Sequence, residues 1–298
     1  MEKLLKIDVH VHCVDYCGIE LPRNASGDNY ASPTQIRQKY DAWGIEYGLI
    51  LPEMNPECAH ILNTNENAYL IAKRYPETFR WCCNIDPRMI DNSPKTDFSV
   101  CLRHYQKYGA VGVGEVCANL PADDPLLDNL FYHCGECDMP VIFHIGPRLG
   151  SCYGIYDELG LPRIESMLKK HPKLKLVGHS QPFWSEISSD NTEATRNGYP
   201  KGKVTPGRLV TLLRTYDNLF CDMSAGSGQN AFMRDPDFGC RFIEEFSDRL
   251  MFGTDICSPK NYLELSGWLD EMAEAGRISA EAYRRVCREN AERLFHLA

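Results

Sequence analysis

LLKIDVHVH, residues 4–12, is a short apolar run that ends in two histidines one residue apart. Leu4–Val11 has the length and the branched apolar content of a buried parallel strand. Seven further runs of the same kind follow: Tyr47–Leu51, Phe79–Ile85, Ala110–Val116, Pro140–Ile145, Leu174–Val177, Asn218–Met223 and Arg249–Phe252. In the middle of the chain they start about thirty residues apart, the size of one strand-plus-helix unit. Helical spacing fills the gaps. Leu126, Leu127, Leu130, Phe131 and Cys134 fall on one helix face, as do Leu209, Leu212, Leu213 and Tyr216. Phe242, Ile243 and Phe246 follow the same rule, and Ala68, Ile71, Ala72 and Tyr75 predict a helix that stops at Pro76. Eight strands alternating with helices predict an α/β fold, a (β/α)8 TIM barrel, as a single domain over 1–298. A doubly wound sheet is the rival, but no Gly-x-Gly-x-x-Gly follows the first strand.

Composition narrows the class. The 298 residues are 43% hydrophobic and 24% charged, which suits a globular chain and excludes a disordered or collagen-like one. No apolar run reaches the ~20 residues that span a bilayer, and the N-terminus lacks a secretory signal pattern. A cytoplasmic protein without a membrane partner is expected. Lys and Arg total 32 against 41 Asp and Glu, and this net charge of −9 argues against a nucleic-acid partner. The 14 cysteines are read as reduced thiols packed as small hydrophobes. Cys134 and Cys137 have no second pair to complete a four-sulfur zinc site.

The chemistry gathers where the predicted strands stop. Alternate residues of a strand share a face, so His10 and His12 point the same way. The fourth run ends at Glu115, the fifth at His144, the sixth reaches His179, and Asp255 follows the eighth. Four histidines and two carboxylates thus converge at the C-terminal ends of the strands, where barrel enzymes place their sites. Burying them unpaired would cost several kcal/mol each (about that order), and a divalent ion removes the cost. These N and O donors suit zinc first, then manganese or iron, as one or two ions.

DVHVH at 8–12, GVGEV at 112–116, VIFHIG at 141–146, LVGHS at 176–180, LMFGTDI at 250–256 and ENAERLFHL at 289–297 together resemble the amidohydrolase superfamily. The nearest branch is the amidohydrolase-related (type 2) group of metal-dependent hydrolases and decarboxylases, and the resemblance covers essentially the whole chain. It implies that His10, His12, His144 and Asp255 hold the metal. It makes His179 either a ligand to a second ion or the acid/base of a one-metal enzyme. Glu115 either bridges two ions or orients a histidine. Asp255 is implied as the group that takes a proton from water and passes it to the leaving group. Homodimers are frequent in the family.

The expected activity is hydrolysis of a C–N or C–O bond in a small molecule by a metal-activated water. Decarboxylation or hydration of a cyclic or unsaturated carboxylic acid, with the same metal site, is the alternative. A TatD-like nuclease is a lesser one, against which the acidic charge weighs. Arg148, four residues past His144, is a candidate for a substrate carboxylate. Trp184, five past His179, is a candidate for stacking on a ring, with Phe183 beside it. Lys260, Asn55 and Asn119 are weaker candidates. The connections from Cys13 to Pro33 and from Ser180 to Pro206 are long and leave the same end of the barrel.

Overall fold

Each of the eight expected strands is present in the computed structural model, which describes residues 4–15, 27–57 and 62–297. They are β1 (Lys6–Val11), β2 (Ile45–Ile50), β3 (Phe79–Cys83), β4 (Ala110–Val116), β5 (Val141–Gly146), β7 (Leu176–His179), β8 (Leu219–Asp222) and β9 (Leu250–Met251). A two-residue strand, β6 (Ile155–Tyr156), was not expected and pairs with β5. The other strands lie in the order β1-β2-β3-β4-β5-β7-β8-β9, and every neighbouring pair is parallel.

Backbone hydrogen bonds close this sheet on itself. Val9 N–H donates to Phe252 O at 3.1 Å, Asp255 N–H to His10 O at 2.8 Å and His12 N–H to Ile256 O at 2.8 Å. Closure satisfies groups that an open edge would leave bare. The result is the expected (β/α)8 barrel.

The strands carry two apolar layers. Ile7, Val9, Leu49, Ile142, Val177, Phe220 and Met251 fill the barrel interior, and Leu294 and Phe295 of the C-terminal segment pack against them. A larger cluster, including Val113, Phe143, Leu176 and Cys221, meets the surrounding helices. Helix Pro125–Glu136 buries Leu127, Leu130, Phe131 and Cys134, and the Asp124 carboxylate accepts from Leu126 N–H at its start. Helix Asn65–Arg74 opens on Thr64, whose hydroxyl accepts from Asn67 N–H, and ends just before Pro76. Cys134 and Cys137 are buried in packing, with no disulfide between them.

Of the two long connections, the first includes residues 16–26, which lie outside the described residues. The second opens with a short helix, Gln181–Ser185, immediately after β7.

Candidate metal centre

The side chains at the strand ends meet on the barrel axis, and β1 must depart from regular pleating to deliver its share. Ile7 and Val9 face the interior, so strict alternation would turn His10 outward. The β1–β2 register shifts between Asp8 and Val11. This irregularity brings both His10 and His12 inward. It is pinned from outside. The Asp8 carboxylate accepts from Thr254 N–H at 2.8 Å, Thr254 Oγ at 2.5 Å, Tyr40 OH at 2.7 Å and His10 N–H at 3.0 Å.

The tautomers of the two histidines follow from their partners. His12 Nδ1 lies 2.9 Å from Leu51 O, which can only accept. His10 Nδ1 lies 2.6 Å from Asp222 Oδ2. Both Nδ1 atoms therefore donate, so in the neutral rings both Nε2 atoms carry lone pairs. Those two atoms face each other at 3.0 Å. Two lone pairs at that distance repel unless positive charge lies beside both, as a shared proton or as a metal ion.

Around the two nitrogens stand the carboxylates. Glu115 Oε2 is 3.8 Å from His10 Nε2 and 3.6 Å from His12 Nε2. Asp255 Oδ1 is 3.5 Å and 3.4 Å from the same two atoms. Ligands about 2.0–2.1 Å from a tetrahedral ion sit roughly 3.3 Å from one another. The donor set fits a divalent ion in type and in spacing.

A second group shares Glu115. Its Oε1 lies 2.8 Å from His144 Nδ1 and 3.8 Å from His179 Nε2. His179 is held from behind: Ser224 Oγ donates to Asp222 Oδ2 at 2.8 Å and accepts from His179 Nδ1 at 3.0 Å. His179 Nε2 thus also presents a lone pair inward, 3.8 Å from Asp255 Oδ2. Triads of His10, His12 and Glu115, of His10, His179 and Asp255, and of Glu115, His144 and His179 each bring one donor atom per residue within 4.8 Å.

The electrostatics run the same way. Burial opposes charge on His10, but Asp222, Asp255 and Glu115 outweigh it and raise its pKa to about 9. Burial pushes Asp255 up, yet His10, His12 and His179 bring it down to about 2. Burial lowers His179 to about 4. Two buried carboxylates, Glu115 and Asp222, and the half-buried Asp255 face these rings and demand positive charge, which a metal supplies in place of protons.

Asp222 is the residue that the sequence reading passed over. It ends β8 as Glu115, His144 and His179 fall at the ends of their strands, so its position was the available signal. Its backbone is also used: Trp184 Nε1–H donates to Asp222 O at 2.9 Å. That contact corrects the stacking expected of Trp184. The ring is 2% exposed and packs against Phe183, Phe232 and Phe242 as core. Helix Gln181–Ser185 turns both Phe183 and Trp184 inward.

Arg148 is exposed in the turn after β5, where its Nη2 donates to Ser151 O at 3.1 Å. Asn119 braces that turn through Arg148 O and Gly154 O. Asn55 links the Asp86 carboxylate to Cys117 N–H. Lys260 pairs with Asp28 at 3.2 Å on the surface.

Closeness at the strand ends also explains Gly253. A Cβ there would lie 2.5 Å from Asp222 Oδ1 and 2.9 Å from Ser224 Cβ. Asp255, two residues on, adopts the left-handed conformation (φ 55°), which aspartate tolerates better than most residues.

A closed parallel barrel with converging histidines and carboxylates at its C-terminal mouth defines a metal-dependent barrel enzyme. The amidohydrolase family profile (Amidohydro_2) matches residues 7–297, and the chain belongs to that family. No curated protein matches it in sequence. Among solved structures it is similar to an uncharacterised TIM-barrel protein from Bordetella bronchiseptica, with 17% identity, 98% and 99% of the two chains covered and a TM-score of 0.66. A dihydroxybenzoic acid decarboxylase from Polaromonas, solved with manganese and the inhibitor 2-nitroresorcinol, shares 16% identity over 98% and 97% of the chains, TM-score 0.56. A putative 2-pyrone-4,6-dicarboxylic acid hydrolase from Pseudomonas putida shares 16% identity over 99% and 98%, TM-score 0.60.

Proposed function

We propose that the protein is a metal-dependent hydrolase that uses a metal-activated water on a C–N or C–O bond of a small carboxylated molecule. The observation that carries this reading is the pair of inward Nε2 atoms of His10 and His12, 3.0 Å apart beside Glu115 and Asp255. His10, His12, Glu115 and Asp255 would hold one ion. Glu115, His144 and His179 would hold a second, or leave His179 free for proton transfer. Zinc suits these donors first, and the manganese in the similar decarboxylase makes that ion the next candidate.

A divalent ion here supplies Lewis acidity and lowers the pKa of a coordinated water to about 7. The chain's own groups do the rest. Asp255 has a side chain 27% exposed, while those around it are buried. It is the carboxylate best set to take a proton from water and give it to the leaving group. Asp222 keeps His10 in the tautomer that presents Nε2, and through Ser224 it does the same for His179. Arg148 is proposed to meet the substrate carboxylate, since its turn follows β5 and His144 directly. The family resemblance supports a homodimer.

Decarboxylation of a cyclic acid is a second reading, favoured by the similar dihydroxybenzoic acid enzyme and by the inward lone pair of His179. Loading the protein with Zn2+ or Mn2+ and screening lactones, amides and aromatic acids, with CO2 release read in parallel, tests both. Product from added water without CO2 supports the hydrolase. CO2 release replaces it with the second reading. No turnover of any of these classes with full metal occupancy contradicts both.

A further inference from the structure

Beside the metal cluster, the two elements that follow β7 and β8 enclose a small recess that shares no residue with it. Helix Ala225–Met233 lies on one side and the segment 181–200 on the other, and the lining includes Gln181, Ser185, Ser227, Asn230 and Arg234. The recess has room for about one water-sized group, close to 10 Å³.

Gln181, Ser185 and Asn230 have hydrogen-bond partners, but two of the lining side chains do not. The Nε, Nη1 and Nη2 of Arg234 are all closed off from solvent, and none has a hydrogen-bond partner among the described residues. Ser227 is 4% exposed, and its Oγ also has no partner among them. Ser227 and Arg234 are seven residues apart, two turns along one helix face. Asp190 and Asp235 act on the Arg234 charge from nearby without a hydrogen bond to it. The Asp235 oxygens are engaged by Val204 N–H, Phe238 N–H and Lys203.

A guanidinium that has lost water and gained no acceptor costs folding free energy, more than any neutral polar group. The planar fork matches one partner in particular, a carboxylate that accepts from two of its nitrogens. Asn230 and Arg234 also line an open groove with Tyr199, Lys201 and Glu264. The groove and the recess thus meet at these two side chains, so that a small movement of either opens the recess to a ligand whose body lies in the groove.

We propose that Arg234 and Ser227 form a carboxylate site for a small organic acid, separate from the metal cluster and independent of the reaction proposed for it. The acid places one carboxylate oxygen in the recess against the guanidinium and Ser227 Oγ, and its remainder lies in the groove beside Tyr199 and Lys201. Occupancy clamps the helix that starts next to Ser224, the residue that holds His179.

The test is thermal unfolding of the metal-loaded protein titrated with formate and acetate, balanced with chloride at constant ionic strength. Wild type is compared with Arg234→Met. The wild-type midpoint is expected to rise by about 2 °C or more at a hundredfold excess over the dissociation constant, and to go on rising with the logarithm of the acid concentration. Arg234→Met loses that rise while keeping the wild-type metal content. Ser227→Ala, which keeps the guanidinium, binds acetate about 3–10-fold more weakly and serves if Arg234→Met fails to fold. A crystal structure of the wild type grown in acetate should show the carboxylate on Arg234. An equal midpoint rise in wild type and Arg234→Met, a response to chloride alone, or only water in the recess overturns the proposal.

Discussion

His10 shows how much one side chain here depends on residues far away in sequence. Its Nδ1 rests on Asp222 and its backbone N–H on Asp8, while Gly253 leaves room beside its Cβ. Asp222→Asn should weaken metal binding 10–100-fold while the fold survives, as is usual when the group behind a metal-binding histidine is lost. Calorimetric titration of the chelator-treated protein checks this. Gly253→Ala pushes a methyl group to within 2.5 Å of Asp222 Oδ1. It should cost about 1–3 kcal/mol of stability, read by denaturant unfolding, and lower metal affinity as well. At this scale the sequence singled out the strand-end histidines His144 and His179, and the structure brings them together with Glu115. Asp222 also stands at a strand end and was passed over, and its role becomes visible only when the barrel closes and sets it behind His10. Trp184 was misread because nearness to His179 along the chain says nothing about which way the short helix turns it.

Among the elements, the strands were readable because each is a short apolar run between turn residues. The irregularity in β1 was not readable. It depends on Asp8 finding Thr254 and Tyr40, partners that only closure of the barrel brings together. The two-residue β6 was missed for the same reason: it is defined by pairing with β5, not by a pattern of its own. The loops after β2 and β3 are tied by Arg88, which donates to both Glu57 and Asp86. Burial pushes the Asp86 carboxyl up, but hydrogen bonds from Arg88 and Asn55 outweigh it and hold it below the usual range. A carboxyl with a depressed pKa stabilises the fold above its unfolded value, about 4, and that contribution fades as pH falls through its lower folded value. Asp86→Asn should therefore melt below wild type at pH 7, and the gap should narrow toward pH 3 in melting curves taken across that range.

For the whole molecule, the barrel has two ends with separate duties. The C-terminal ends of the strands gather charge. The opposite end is filled by apolar side chains, with Phe295 fully buried against the interior cluster. Phe295→Ala should cost about 3–5 kcal/mol in denaturant unfolding yet leave the metal count per folded chain unchanged. The reverse holds at the mouth. A core of this size does not need a metal to fold. Chelator treatment should remove metal and activity while the far-ultraviolet circular dichroism spectrum stays native. The sequence reached the barrel through the rhythm of its strands, and closure of the barrel brings together the strand-end histidines and carboxylates that it singled out. It did not reach the Arg234 recess, since an unpaired guanidinium is a property of packing, with no pattern in the chain.

The central claim is that His10 and His12 turn two lone pairs toward a shared divalent ion. Elemental analysis of the protein purified without chelator, in parallel with His10→Ala, tests it most directly. The account predicts one or two equivalents of Zn2+ or Mn2+ per wild-type chain and a loss of at least one equivalent in the folded variant. A wild-type chain that holds no divalent metal and takes up none when it is added, or a variant with the full wild-type count, would contradict it.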